Sequence, residues 1–316
     1  MWPIPSNSNT DATTSSSIDL LYGTNSGGGP HANGADLGGT VFSLTSEGKE
    51  TTLYSFCAKA NCADGAAPSA PLVLGTDGNF YGTTVGGGNS VCVDTDGCGT
   101  VFKITPEGAL TTLHRFDKTD GEYVDGGLLQ ATNGIFYGTT FFGGAHGDGT
   151  IFSLSVGLGP FVQTVPAFGN VATVVMILGT DLTGATGVTF SGEAAKFKVV
   201  SATEISATVP SGVTTGAVEV KTPRGTLASN AAFGVLPQIV SFKPTSGPVG
   251  TKVEITGVSL TQTTEITFDG VAATDVAVNS DAQVTAIVPT GAKTGEIAIT
   301  TLGGTATSAA TFTVTK

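Results

Sequence analysis

Apolar residues occur in short runs along this chain. Val, Ile, Thr and Phe cluster between Gly, Asn, Asp and Pro, and apolar positions rarely follow helical spacing. Short β-branched and aromatic runs bounded by turn formers are the strand pattern. The sequence therefore predicts an all-β chain.

Self-similarity organises the first half. Tyr22-Gly-Thr-Asn recurs as Tyr81-Gly-Thr-Thr and Tyr137-Gly-Thr-Thr, at spacings of 59 and 56 residues. A second motif follows each: Gly39-Thr-Val-Phe, Gly99-Thr-Val-Phe and Gly149-Thr-Ile-Phe. A third run, Thr51-Thr-Leu-Tyr or Thr111-Thr-Leu-His, comes next, and a fourth, Leu72-Val-Leu or Leu128-Leu-Gln, precedes the next Tyr-Gly-Thr. Asp77-Gly and Asn133-Gly are strong hairpin signals. Each repeat thus predicts four antiparallel strands, A to D, the size of a propeller blade. The A–B and C–D turns are tight. The long B–C loops (25–38, 85–98, 141–148) and D–A loops (57–71, 117–127) are expected on one face. The first copy lacks strand A and the third lacks strand D. Propellers need about four blades or more, so the array is expected to be incomplete or to self-associate through open sheet edges.

After a linker at 156–160 the period becomes 79 residues: Val209-Pro-Ser-Gly aligns with Val288-Pro-Thr-Gly. Alternating apolar residues in short strands predict two immunoglobulin-like β-sandwich domains. The expected organisation is a disordered leader at 1–17, three blade-like repeats at 18–156, and sandwiches at 161–236 and 237–316.

The Tyr-Gly-Thr-Thr, Gly-Thr-Val-Phe-Lys-Ile-Thr and Thr-Thr-Leu-x-x-Phe units resemble the bacterial choice-of-anchor tandem repeat (GloVer-type) family over roughly residues 18–155. The run Pro237-Gln-Ile-Val-Ser-Phe-Lys-Pro-Thr-Ser-Gly-Pro resembles the opening of IPT/TIG domains, continued by Phe268-Asp-Gly and Val288-Pro. Residues 161–235 resemble a degenerate copy. These resemblances imply an exported bacterial surface protein, with the sandwiches as spacers, adhesion modules or accessory domains.

Charge narrows the partners. The chain of 316 residues has 13 Lys and Arg against 25 Asp and Glu, a net charge of −12. A phosphate-binding surface needs clustered cations, so nucleic acid is excluded. No apolar run is long enough to span a membrane. Four cysteines form two close pairs, Cys57 with Cys62 and Cys92 with Cys98. Two local disulfides are expected, hence an oxidising, extracellular compartment. Zinc is the competing reading, although its knuckles use closer spacing and nearby histidines.

Candidate chemistry lies in the long loops. Asp64, Asp120, Glu122 and Asp125 could work as paired carboxylates on a glycosidic bond, given suitable separation; turn formation is the alternative. His31 and His146 occupy equivalent loops and could bind a ligand. Phe141 and Phe142 could stack on a sugar, with core packing as the competing role. Asp94 and Asp96 form a fragment of a calcium loop without its distal glutamate, and no other cofactor is expected. No nucleophile elbow, metalloprotease helix or phosphate loop occurs. The preferred reading is a non-catalytic module binding polysaccharide or a cell-surface ligand. The alternative is a secreted polysaccharide hydrolase with accessory sandwiches.

Overall fold

A computed structural model describes residues 20–32, 38–92 and 97–316. The expected leader at 1–17 and the calcium-loop fragment Asp94 and Asp96 lie outside the described residues. The chain forms two compact units, residues 1–159 and 160–316.

Among the described residues the first unit has ten short strands. β1 (Leu20–Asn25), β2 (Thr40–Thr45) and β3 (Glu50–Ser55) form one sheet. β4 (Val73–Leu74), β5 (Phe80–Thr84), β6 (Thr100–Ile104) and β7 (Leu110–Arg115) form the second. β8 (Leu129–Gln130), β9 (Phe136–Thr139) and β10 (Ile151–Leu154) form the third. Neighbours in sequence are neighbours in each sheet, and every pairing is antiparallel. The central repeat has all four strands, and no strand D follows β10 in the third; the segment before β1, where a strand A of the first repeat would fall, lies outside the described residues.

Each residue of Tyr-Gly-Thr has a physical role. The glycine pairs across the sheet with the phenylalanine of the second motif: Gly23 with Phe42, Gly82 with Phe102, Gly138 with Phe152. The ring lies over the missing side chain, so a Cβ on Gly82 would stand 2.5 Å from Phe102 Cζ. Phe102 is fully buried, and that burial stabilises by about 1.5–3 kcal/mol. The tyrosine packs on the next repeat: Tyr22 on Phe80 at 4.2 Å between ring centroids, Tyr81 on Phe136 at 4.3 Å. The threonine joins the same junctions. The Thr24 hydroxyl donates to the Ala70 carbonyl at 2.9 Å, and Thr83 to Gly126 at 3.1 Å. Two apolar cores result. One is centred on Val41, Phe56 and Phe102, the other on Tyr81, Val101, Phe116 and Phe136.

The second unit holds two sandwiches of matching topology. In the first, strands Gln163–Val165, Val174–Leu178, Glu204–Thr208 and Lys196–Ser201 form one sheet, in that order. Glu193–Ala194, Gly187–Phe190, Val218–Thr222 and Gly225–Ala228 form the other. In the second, Gln238–Lys243, Lys252–Val258, Gln283–Ile287 and Thr274–Ser280 repeat the first order. The facing sheet runs Ser246–Gly247, Gly304–Val314, Gly295–Thr301, Thr263–Phe268 and Val271–Ala272. The cores correspond: Val175, Ile177, Phe190 and Phe233 in one, Val253, Ile255, Phe268 and Phe312 in the other. A side-chain amide joins them. Gln262 Oε1 accepts from the Thr215 amide at 2.8 Å, and its Nε2 donates to the Thr215 carbonyl at 3.3 Å.

Candidate functional site: the loop face of the repeats

The long loops pair with one another. The B–C loop of each later repeat lies against the D–A loop that leads into it. At the first junction Ala66 and Gly86 exchange backbone hydrogen bonds of 2.9 and 3.0 Å. Val85 donates to Ala67, and Gly88 to Cys62. At the second junction Glu122 and Phe142 exchange bonds of 2.8 and 3.0 Å. Phe141 donates to Tyr123, and Gly144 to Lys118. The Thr84 hydroxyl donates to the Gly86 carbonyl and the Thr140 hydroxyl to that of Phe142, both at 2.9 Å. One backbone ladder is therefore built twice with different side chains.

Both cysteine pairs are disulfides, Cys57–Cys62 and Cys92–Cys98. They lie on loops that touch, since Gly88 of the B–C loop that carries Cys92–Cys98 donates to the Cys62 carbonyl of the D–A loop. The two bridges thus share one face. In this fold Cys98 follows a turn in which Gly97, at φ +112°, takes a backbone shape that glycine tolerates.

At the second junction the ladder carries aromatic groups. Val85, Gly86 and Ala67 of the first junction correspond to Phe141, Phe142 and Tyr123. Phe141 is 64% exposed and Phe142 43%. Their rings are 4.6 Å apart and nearly perpendicular. Tyr123 lies 6.2 Å from Phe141 and 6.1 Å from Phe142. The sequence alone did not single out Tyr123. Its signal is the position after Glu122, which matches Ala67; both residues have positive φ.

The acidic candidates divide by environment. Asp64 is fully buried. It accepts from the Tyr54 hydroxyl at 2.8 Å and from the Ala58 and Lys59 amides at 3.0 and 3.1 Å. Burial, then the hydrogen bond to Asp64, then its charge push the Tyr54 hydroxyl above its ordinary pKa. Asp120 is the counterpart of Asp64 and His114 that of Tyr54, with His114 Nε2 and Asp120 Oδ2 at 2.7 Å. This pair is open to solvent, each side chain about two-fifths exposed. Asp120 also accepts from the Asp117 amide. Glu122 is buried and lies 3.9 Å from Lys118 Nζ. Asp125 is exposed and accepts from the Ser69 hydroxyl at 2.6 Å. Asp64 therefore sits on the first D–A loop, and the other three carboxylates share the second.

His31 and His146 are both exposed in their B–C loops. Among the described residues no cluster of three or more His, Cys, Asp or Glu is arranged to hold a metal ion. Among them, too, no helix is long and apolar enough to cross a membrane.

Small antiparallel sheets in series, followed by tandem sandwiches, define an all-β repeat protein. The chain belongs to the Gloeobacter/Verrucomicrobia repeat family, which matches residues 5–198, and an IPT/TIG domain matches residues 237–314. No curated protein matches it. Among solved structures, the surface glycan-binding protein PbSGBP-B from Prevotella bryantii is 16% identical with a TM-score of 0.34. That match covers 50% of this chain and 40% of that one. SGBP-B from a complex xyloglucan utilization locus in Bacteroides uniformis is 22% identical with a TM-score of 0.25, covering 48% of each chain. The plexin A4 extracellular region scores similarly, at 12% identity and a TM-score of 0.26 over 94% of this chain and 32% of that one. The chain spans less than half the length of each of these proteins. Scores at this level leave the ligand to be argued from the site itself.

Proposed function

We propose that this chain is an extracellular carbohydrate-binding module and that Tyr123, Phe141 and Phe142 form its contact surface. One observation carries the reading. The first loop junction makes the same backbone ladder with Val85, Gly86 and Ala67, so folding does not call for three aromatic rings at the second. Large apolar side chains kept in water, where the fold is satisfied without them, mark a binding surface. Aromatic faces suit the C–H faces of sugar rings, and the hydroxyls of a sugar suit nearby Asp125 and Lys118, both exposed. Two disulfides fit an oxidising compartment.

The experiment is a panel of soluble polysaccharides against the full chain and its Phe141→Ala/Phe142→Ala variant. A ligand should bind the parent, and the variant should lose about tenfold or more in affinity while keeping its melting temperature. Retained affinity in the variant, or no ligand across the panel, would refute the reading.

A further inference from the structure

At both internal junctions one repeat presents an outgoing face and the next covers it. The outgoing face of the central repeat consists of Tyr81, Thr83 and Val101, each at most 1% exposed. In the third repeat the corresponding residues are Tyr137, Thr139 and Ile151. Ile151 is 83% exposed and Leu129, the counterpart of Val73, is 66% exposed. Among the described residues these are the two most exposed large apolar side chains of the first unit. Thr139 is exposed where Thr24 and Thr83 are bonded to the following repeat.

The incoming face shows the reciprocal difference. The central repeat enters its junction with Phe80, Phe102 and Ile104, at 6%, 0% and 0% exposure. The first repeat carries Leu21, Phe42 and Leu44 at those positions, all of them only partly buried. Among the described residues one face of each kind is thus left uncovered or only partly covered, and this chain already joins such faces twice. Repeat arrays are held by nearest-neighbour interfaces.

We propose that the third repeat of one copy docks on the first repeat of a second copy, head to tail, by the junction used inside the chain. Ile151 and Leu129 meet Leu21 and Leu44. The contact is heterologous, so it closes into a ring or extends, according to the rotation per copy. This proposal is independent of the carbohydrate reading, because Phe141 and Phe142 lie on the loop face and none of the docking residues does.

The test is the solution mass of the full chain across a concentration series, by analytical ultracentrifugation. The parent should exceed the monomer mass as concentration rises. Ile151→Asp and Leu44→Asp should each weaken association about tenfold or more, because a carboxylate cannot be buried in an apolar contact without loss. Each variant keeps one intact face. Mixed together, they should form a one-to-one complex that neither forms alone. Calorimetry of each variant checks that it is folded, and Leu129→Asp replaces Ile151→Asp if that variant is not. A parent that stays monomeric, assembly unchanged by Ile151→Asp, or folded variants that do not combine would each overturn the proposal.

Discussion

Asp64 and Asp120 hold corresponding places in successive repeats, and replacing each by Ala should give very different results. Asp64 is fully buried and accepts three hydrogen bonds, two from the loop backbone and one from Tyr54. Hydrogen bonds to a charged group are worth about 1.5–3 kcal/mol each. Ala58 and Lys59 are surface residues whose freed amides can reach water, which lowers the cost. Removal of the buried charge itself offsets a further part. Asp64→Ala should therefore cost about 2–3 kcal/mol. Asp120→Ala removes a solvent-exposed contact with His114 and one with the Asp117 amide, and should cost about 1 kcal/mol or less. The chain has more than one cooperative unit, so a single global unfolding curve would mix them. Native-state hydrogen exchange reads the loop directly. In Asp64→Ala the Ala58 and Lys59 amides should exchange roughly 30- to 150-fold faster, the equivalent of that cost. Exchange within about threefold of the parent, or an equal effect from Asp120→Ala, would refute the assigned role.

Two further predictions concern the repeat core. Gly82→Ala places a methyl group against Phe102 and should destabilise the first unit by about 1–3 kcal/mol, whereas Gly27→Ala enters open space and should leave its melting temperature unchanged. Tyr54 and Tyr81 have hydroxyl pKa values raised above 10.0 in the folded chain, first by burial and then by Asp64 and Asp77. A raised folded pKa holds stability in full below the unfolded value and loses it as pH climbs towards the folded one. Calorimetry should find the melting temperature of the first unit falling above pH 10, with a shallower fall in Tyr54→Phe; a pH-independent melting temperature across that range would count against both assignments.

The strand order of the repeats was legible because recurrence exposes it. Three copies of Tyr-Gly-Thr, each followed by Gly-Thr-Val-Phe or Gly-Thr-Ile-Phe, show which positions the sheet requires. The structure supplies the reason, since Gly82 lies under Phe102 and Thr83 reaches the next repeat. The loop face was legible only as a location. Tyr123 comes beside Phe142 because Glu122 and Phe142 exchange backbone hydrogen bonds, and no local pattern announces that pairing. The roles of the carboxylates were hidden for a similar reason. Asp64 and Asp120 both precede glycine, yet one is buried under Tyr54 and the other stands beside His114 in solvent.

The two loop junctions use different means to hold the same ladder. The first carries both disulfides and small residues where the loops meet: Ala66, Ala67 and Gly86. The loops of the second hold no cysteine. There Lys118 stands near Glu122, and Asp117 accepts from the Thr119 hydroxyl and from the Thr119 and Asp120 amides. These bonds, the Thr119 hydroxyl foremost, hold the Asp117 carboxyl below its ordinary pKa. Polar side chains fix this loop's shape without covalent closure, so its outward positions are free to vary. Positions that differ between copies on an unchanged ladder are those released from the demands of folding, and on this chain they hold Tyr123, Phe141 and Phe142.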